Sequence, residues 1–121
     1  MAQVAWQELN FLQMLDVLRS AQVLRLAVSW GESPYVVPVH GQLEMRGLQP
    51  VIHLLMPAQG RKADALKENS RVCLETEAPG CAWLDTVIVT GTAELTLLQE
   101  NVLHAAVAAD TLTGRRYFRH E

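Results

Sequence analysis

The most constraining feature of this sequence is a set of segments in which apolar residues recur at every second position. From Leu24 to Trp30 the apolar residues alternate with others, and the same period recurs in residues 35–45, 71–77 and 83–97. A period of two is typical of strands with one buried face. Residues 51–55 add a short apolar strand. The short links between these segments favour antiparallel pairing, so the sequence predicts an antiparallel sheet.

The segment 35–45 contains two residues that are unusual inside a strand. Pro38 has no backbone donor, and Gly41 has no side chain to pack. Such residues are typical of an edge strand, a bulge or the corner of a barrel. We therefore expect this strand to lie at an edge or a corner rather than at the centre of a flat sheet.

Three segments have helical features. In residues 6–20 an apolar residue recurs at every third position, which predicts an amphipathic helix. Residues 60–69 predict a short helix that ends at Asn69 in a left-handed conformation. Residues 99–109 are rich in alanine and predict a closing helix. Together with the strands, these helices predict an α+β protein built on a closed or partly closed barrel.

Composition limits the classes of function. A chain of 121 residues predicts one domain, residues 1–121, and a net charge of -3 argues against a nucleic-acid partner. The arginines of residues 115–119 are expected to form a solvated C-terminal end. Neither a signal peptide nor an apolar run of about 18 residues is present, so we expect a cytoplasmic protein without a membrane partner. Cys73 and Cys81 lack metal-binding spacing and are predicted to be free thiols.

The tripeptide Gly60-Arg61-Lys62 is the most informative local anomaly. The first turn of a helix has a partial positive charge and favours acidic residues over two cations. A bound phosphate would explain the arrangement, because free backbone N–H groups and both side chains would face an anion. Alternatively, the helix begins near Ala63 and the cations lie in a solvated loop.

Four motifs in order decide how that tripeptide is interpreted. Residues 34–40 have the sequence PYVVPVH, residues 60–69 GRKADALKEN, residues 71–73 RVC, and residues 87–93 VIVTGTA. In this order and at nearly this spacing they resemble the pyridoxamine-phosphate-oxidase-like flavoproteins, and within them the nitroimidazole-resistance branch. The resemblance covers about residues 20–97.

The resemblance implies an antiparallel six-stranded split β-barrel with flanking helices, which forms a homodimer with FMN in a cleft at the interface. It places the FMN phosphate at Gly60, Arg61 and Lys62. It also places Val37, Pro38 and Val39 beside the flavin ring. For Val37 and Val39 a plain role in the barrel core is equally open.

The resemblance also suggests residues near the ring. Trp83 either stacks on the flavin or caps the barrel, and Thr86 occupies the position of a hydroxyl that binds ligand in the family. The position of the family's ring-side histidine is Leu55 in this chain. His53 lies two residues earlier and so on the same face. It either takes the place of that histidine or is a half-exposed structural residue.

The residues themselves reveal no catalytic machinery. His40 is predicted to lie on the face opposite Val37, and His104 in a helix, so no acid–base pair and no metal site are expected. The chemistry would then belong to the flavin. We expect an FMN-binding oxidoreductase that reduces a small organic acceptor, such as a nitro-aromatic, with electrons from a reduced nicotinamide. A flavin carrier without turnover, or a split barrel that binds haem or a deazaflavin, are the alternatives.

Overall fold

The computed structural model describes residues 5–119. Its elements in chain order are β1 (Trp6–Glu8), α1 (Phe11–Ser20), β2 (Leu24–Trp30), β3 (Ser33–Val39), β4 (Gly41–Arg46), β5 (Gln49–Pro57), α2 (Arg61–Glu68), β6 (Arg71–Pro79), β7 (Trp83–Gln99) and β8 (Val102–Phe118). Of the two helices in this range, neither is long and apolar enough to cross a membrane. Both cysteines are free, as predicted.

All the strands belong to one antiparallel sheet. Its order is β3-β2-β6-β7-β8-β5-β4, and β1 pairs with the remaining edge of β8. The two outermost strands, β3 and β4, follow each other in the chain with only His40 between them. The sheet therefore curls until its two edges meet at one corner. This geometry is a split barrel.

Gly41 lies at that corner, as its sequence context suggested. A Cβ there would stand 3.0 Å from the Leu54 side chain and 3.1 Å from those of Ile52 and Leu24, all core residues. Such contacts are tighter than ordinary packing, so a side chain at this position would have to displace its neighbours, and glycine avoids this. The expectation that this strand forms an edge and a corner is confirmed.

The core lies inside the curled sheet and under the helices. Alternate residues of each long strand are buried, for example Val87 and Val89 of β7. Helix α1 packs on β6, β7, β4 and β8, and α2 packs on β2. The predicted fold class, an α+β antiparallel split barrel, is confirmed. The sheet has eight strands, because the segment 35–45 divides into β3 and β4 and both ends of the described chain form strands.

The predicted helix over residues 99–109 is wrong, because this segment belongs to the long strand β8. Leu103, Ala105 and Val107 are buried at every second position. Strand β8 pairs with β5 on one side and with β7 on the other. The helix propensity of alanine is a weak preference of well under 1 kcal/mol per residue, and pairing on both edges outweighs it.

The C-terminal end was expected to be solvated. In its described part it belongs to the sheet, while Arg115 and Arg119 are exposed. β8 extends to Phe118, and the Arg119 N–H donates to the Ala82 carbonyl (3.1 Å). The arginines of this segment are held by protein groups: Arg115 lies 4.1 Å from the Trp6 ring centre, and Arg116 pairs with a carboxylate described below. Residues 120 and 121 lie outside the described range.

Two helix boundaries differ from the prediction. The N-terminal helix begins at Phe11 instead of residue 6, because Asn10 and Gln13 form a capping box with two 2.9 Å hydrogen bonds. The preceding residues pair with β8 as β1. Asn69, predicted to be left-handed, has a φ of -143° and is extended. Its side-chain oxygen accepts from the Arg71 N–H (3.0 Å), which starts β6 directly.

Candidate functional site

The start of α2 combines an unusual backbone with unpaired donors. Gly60 has a φ of 122°, a conformation that favours glycine. The helix begins at Arg61, and its first internal hydrogen bond runs from the Asp64 N–H to the Gly60 carbonyl (3.0 Å). The N–H groups of residues 61–63 therefore have no partner within the helix. Of the two interpretations of the tripeptide, the structure supports the one in which both cations lie in the first helical turn.

The Arg61 side chain lies against two aromatic rings that no sequence pattern connects with it. Its guanidinium carbon is 5.7 Å from the centre of the Trp30 ring and 5.4 Å from that of Tyr35. Both rings come from the hairpin of β2 and β3. Contact with aromatic faces orients a guanidinium while its N–H edge can still bind an anion. The two rings thus orient the Arg61 guanidinium beside the start of the helix.

Positive charge dominates the first turn of α2. Within the described part of the chain, neither Arg61 nor Lys62 forms an ion pair, and Asp64 is the acidic residue of that turn. A Cβ at Gly60 would meet nothing within 4 Å, so the space beside this residue is open. Lys67 has a different role, because its Nζ donates to a loop carbonyl just before the helix (2.9 Å). Free backbone donors, two cations and open space beside Gly60 therefore occur together at the helix start, a combination that suits an anion.

The strand with the YVVP sequence is the outer strand of the sheet, paired through β2 only. Val39 is buried and Val37 packs against the core, whereas Pro38 is exposed. The two valine side chains thus belong to the barrel core. What β3 can offer to a ligand is the unpaired edge of its backbone, from which Pro38 removes one donor.

Leu55 and His53 lie on the outer face of β5. Leu55 is 63% exposed, which is high for a leucine inside a nine-residue strand. In the register of β5 and β8 it stands directly opposite His104, while His53 stands opposite Ala106. Residues diagonal to each other on neighbouring strands are within reach of long side chains. The pairing therefore brings the two histidines into contact across β5 and β8.

A hydrogen-bonded chain crosses three strands on this face. Nδ1 of His53 lies 2.9 Å from Nε2 of His104, and Nε2 of His53 lies 2.9 Å from Oε1 of Glu44 on β4. The pKa of Glu44 is below its usual range because His53 and Arg46 both donate to the carboxylate. The expectation of no acid–base pair is wrong, because His53 bonds to the Glu44 carboxylate across β4 and β5. The further contact of His53 with His104 was missed because residue 104 was assigned to a helix, which hid its position beside β5.

The remaining predicted residues lie at opposite ends of the β7–β8 hairpin. At the turn end, where β7 passes into β8, Pro57 stands opposite Val102, and Gly60 follows it closely. At the open end Trp83 stands opposite Phe118. The start of α2 therefore lies at the turn end. His104, two residues after Val102, lies near the same end.

Trp83 and Thr86 both lie at the open end, in a region of closely paired groups. Arg116 stacks over Trp83 with its guanidinium carbon 4.4 Å from the ring centre, and it binds Asp85 through two hydrogen bonds of 2.7 and 2.9 Å. The Thr86 hydroxyl donates to the Arg115 carbonyl (3.4 Å) and lines a cleft of about 600 Å³. These contacts give Trp83 a packing role at the end of the barrel.

Comparison with known proteins identifies the architecture. No family model and no curated protein matches the sequence. A FAD-binding protein from Mesorhizobium loti matches 97% of this chain and 100% of its own, with a TM-score of 0.82 and 18% identity. A provisionally assigned 5-nitroimidazole resistance protein from Bacteroides thetaiotaomicron matches 96% of this chain and 90% of its own, with a TM-score of 0.82 and 16% identity. A provisionally assigned pyridoxamine 5'-phosphate oxidase from Corynebacterium glutamicum covers 95% and 100%, with a TM-score of 0.76 and 20% identity.

This chain has the pyridoxamine 5'-phosphate oxidase-like split-barrel fold. The resemblance predicted from the motifs is therefore confirmed at the level of the fold. Within this split barrel, Arg61 contacts Tyr35, which lies two residues before Val37 on β3, and Leu55 lies five residues before Gly60. The structure thus brings the start of α2 into contact with β3 through Tyr35. Trp83 and Thr86 are separated from them.

Proposed function

We propose that this split barrel binds FMN, with the flavin phosphate at Gly60, Arg61 and Lys62. The observation that carries the proposal is the first turn of α2, where free N–H groups and two cations without ion-pair partners in the described chain occur next to open space at Gly60. A phosphate group accepts such donors and balances such charges. The residues present therefore fit the phosphate end of the cofactor.

Structural neighbours support a flavin in general. The Mesorhizobium loti protein binds FAD by its description, and the other two neighbours have descriptions of a pyridoxamine 5'-phosphate oxidase and a nitroimidazole resistance protein. We favour FMN over FAD because a terminal phosphate, with more negative charge than a phosphodiester, suits a helix start with two added cations. The choice is directly testable, since FMN, FAD and riboflavin share one ring and differ in the phosphate.

The ring would lie between the edge of β3 and the outer face of β5. Backbone groups of residues 37–39 at the unpaired edge of β3 can bond the polar edge of the ring. Leu55 offers exposed apolar surface for its face, and His53 stands next to it. Burial of Leu55 under a flat ring would contribute up to about 1.5 to 3 kcal/mol to binding. In this arrangement the exposed leucine has a role that packing does not give it.

With FMN bound, the protein would act as an oxidoreductase toward a small organic acceptor, such as a nitro-aromatic. The flavin supplies hydride transfer, and the chain supplies binding, orientation and electrostatics. A flavin carrier would differ from this oxidoreductase because it would bind FMN tightly without turnover. A haem or deazaflavin protein differs by its visible spectrum.

A homodimer would complete this site. Trp83 and Thr86, predicted to contact the cofactor, lie at the open end of the hairpin, away from the start of α2 in the same chain. A second copy, placed with its open end against the turn end of the first, would bring them to the flavin. We therefore place the cofactor cleft between two copies of the chain.

The phosphate assignment is tested by titrating the purified, flavin-free protein with FMN and with riboflavin. Each of the variants Arg61→Ala and Lys62→Ala should weaken FMN binding about tenfold or more, since hydrogen bonds to charged groups contribute about 1.5–3 kcal/mol. Riboflavin, which has no phosphate, should bind equally to all forms. Arg19→Ala is the matched control, because Arg19 is an exposed arginine of α1.

Four outcomes test the phosphate site and separate the functions. Unchanged FMN affinity in both variants would refute the phosphate site. A yellow protein that oxidises a reduced nicotinamide in the presence of a nitro-aromatic or a quinone supports the oxidoreductase. Tight FMN without such turnover supports the carrier, and a protein that does not bind added FMN contradicts the flavin proposal itself.

A further inference from the structure

The contact between His53 and His104 is a head-to-tail hydrogen bond rather than a face-to-face stack. The ring planes differ by 12° and the ring centres are 5.1 Å apart, while the two nearest nitrogens are 2.9 Å apart. Ring centres are this far apart at that nitrogen distance only when the two nitrogens point at each other along the line between the centres. The rings are therefore nearly coplanar, with one hydrogen between them.

A proton, and not a metal ion, fits between these nitrogens. Two histidines that point at one metal from opposite sides would be about 4 Å apart, because metal–nitrogen bonds are about 2.0–2.1 Å long. The observed 2.9 Å is the ordinary length of a hydrogen bond. In the described residues, no group of three potential ligands is placed to hold a metal. The contacts among Glu44, His53 and His104 are therefore hydrogen bonds and not metal coordination.

The donor and acceptor roles along this hydrogen-bonded chain follow from the Glu44 carboxylate at its end. Glu44 is an acceptor, so Nε2 of His53 carries a hydrogen and donates to it. In a neutral His53 the other nitrogen, Nδ1, is then an acceptor, and Nε2 of His104 donates to it. In a neutral His104 this leaves Nδ1 without a hydrogen. No described residue hydrogen-bonds to that atom, so the chain ends in a nitrogen that can take a proton.

The surroundings of His104 suit a flat ligand. Exposed Leu55 stands directly opposite it on β5, and Thr96 stands opposite it on β7. Charged groups on the same face are Glu44, bonded to Arg46 as well as to His53, and Glu94, which lies opposite Ala106 on β7. The imidazole thus borders an apolar surface, and the carboxylates of Glu44 and Glu94 lie on the same face of the sheet.

We propose that Nδ1 of His104 exchanges a proton with the molecule bound on this outer face, and that Glu44 and His53 fix its tautomer and orientation. His104 would be the acid–base residue, and the other two would be positioning residues. The arrangement extends the carboxylate–imidazole pairing of known acid–base sites by a second ring. This inference rests on the proposed flavin function, which places the ring and its acceptor beside Leu55.

The proton transfer completes a two-electron reduction. Reduction of a quinone to a hydroquinone requires one hydride and one proton. For a nitro-aromatic the same hydride and proton give a nitroso compound and water, because one N–O bond breaks. Bound FMN would supply the hydride, with a reduced nicotinamide as the source of electrons. The proton leaves the Nδ1–H bond of the protonated His104 and forms a new bond to an oxygen of the acceptor. His104 becomes a neutral imidazole, and water returns the proton.

The first test measures the tautomers directly by ¹⁵N–¹H correlation of the histidine rings in the full flavin-free chain. We expect neutral His53 and His104 to carry hydrogen on Nε2, with Nδ1 of His104 unprotonated. Addition of FMN should shift the Nδ1 signal of His104 and leave His40, whose Nδ1 bonds to the Gln22 carbonyl, unchanged. Hydrogen on Nδ1 of neutral His104, or no response to bound FMN, would overturn the inference.

The second test uses His104→Gln, which keeps an amide N–H in the place of Nε2 and removes Nδ1. FMN affinity should stay within about threefold, while kcat with a quinone should fall about 100-fold or more. The pH profile of kcat should also lose the limb that requires a protonated group. His40→Gln should behave as the native protein. In Glu44→Gln the His53 tautomer should change, with an intermediate loss of kcat.

The outcomes distinguish this inference from the flavin proposal. If the native protein does not bind FMN, the proposed function fails. If it binds FMN and turns over, but His104→Gln keeps the kcat and the pH profile of His40→Gln, the flavin proposal stands and the role of His104 is refuted.

Discussion

The positively charged side chains at the two ends of the β7–β8 hairpin differ in whether they have anionic partners. At the open end, Arg116 is bonded twice to Asp85 and stacked over Trp83. At the turn end, Arg61 and Lys62 form no ion pair within the described chain. Cations of the same kind thus occur in one small barrel with and without anionic partners.

This difference separates groups that stabilise the fold from groups available to a ligand. A cation with a bidentate carboxylate has its donors satisfied, so its removal should affect folding. A cation at a helix start, repelled by the helix dipole, destabilises the isolated protein slightly and becomes favourable only with an anion. Stability and ligand affinity should therefore respond to different ends of the molecule.

The largest effect on stability is expected from Asp85→Ala. The carboxylate and Arg116 are both largely buried, with side-chain exposures of 11% and 20%. Loss of one partner leaves the other charge poorly solvated, and we expect the free energy of unfolding to fall by about 2–4 kcal/mol. Urea unfolding measures the change. Asp85 holds the pKa of Arg116 above its usual value in the native protein. Without Asp85 the guanidinium still stays charged, because an arginine is effectively always protonated, so it cannot escape the penalty by losing a proton.

Arg61→Ala is the matched comparison for Asp85→Ala. It should leave the urea midpoint nearly unchanged while it weakens FMN binding. A loss of stability in Arg61→Ala as large as that in Asp85→Ala would remove the distinction between the two ends, since it would show that the contacts with Trp30 and Tyr35 make Arg61 a structural residue.

How far the sequence predicts this protein depends on whether a pattern is local. Alternation in β2 and β7 predicted those strands, because each buries one face along its own length. The start of α2 was predicted down to its two cations for the same reason. In contrast, the Ala-rich segment of β8 has a helical composition, and its strand form results from pairing with β5 and β7, which are distant in sequence.

The candidate site follows the same rule. Gly60, Arg61 and Lys62 are neighbours in sequence, so their pattern was visible as a charge anomaly. The Glu44–His53–His104 chain depends on the register of three strands, and an error over β8 was enough to hide it. Trp30 and Tyr35 reach Arg61 only through the packing of α2 on β2, which no spacing in the sequence encodes.

A smaller effect is expected from Gly60→Ala, which tests the backbone of the turn end. With φ at 122° and ψ at 175°, Gly60 occupies a region open almost only to glycine, and an alanine there should cost about 1–3 kcal/mol. The added methyl meets no atom within 4 Å, so strain, and not a clash, is the cause. Both urea stability and FMN affinity should fall, because the donors at the helix start are displaced.

Gly47→Ala provides the control for strain alone. Gly47 also has a positive φ, 62°, and open space around it, but it lies in the turn between β4 and β5. We expect a loss of about 1–2 kcal/mol in stability and no change in FMN affinity. Equal losses of FMN affinity in both glycine variants would show that binding reports general stability instead of the geometry at α2.

The smallest effect concerns a site where carboxylates outnumber cations. Arg25 lies 3.1 Å from Glu75 and 3.2 Å from Glu77, so two carboxylates share one guanidinium. Burial and the neighbouring Glu77 raise the pKa of Glu75, and Arg25 opposes them. A raised carboxyl pKa means that the folded state binds the proton more readily. The associated stability is complete below the unfolded pKa and is lost as the pH rises through the folded value.

Glu77→Gln should therefore increase the free energy of unfolding at neutral pH by about a few tenths of a kcal/mol, because it removes the repulsion at a partly exposed site. The gain should vanish at acid pH, once Glu75 is protonated and the repulsion is lost in the native protein as well. Urea unfolding across this pH range, with Glu32→Gln as control, measures it. A loss of stability at neutral pH would mean that the Arg25–Glu77 bond outweighs the repulsion, so that Arg25 needs both carboxylates.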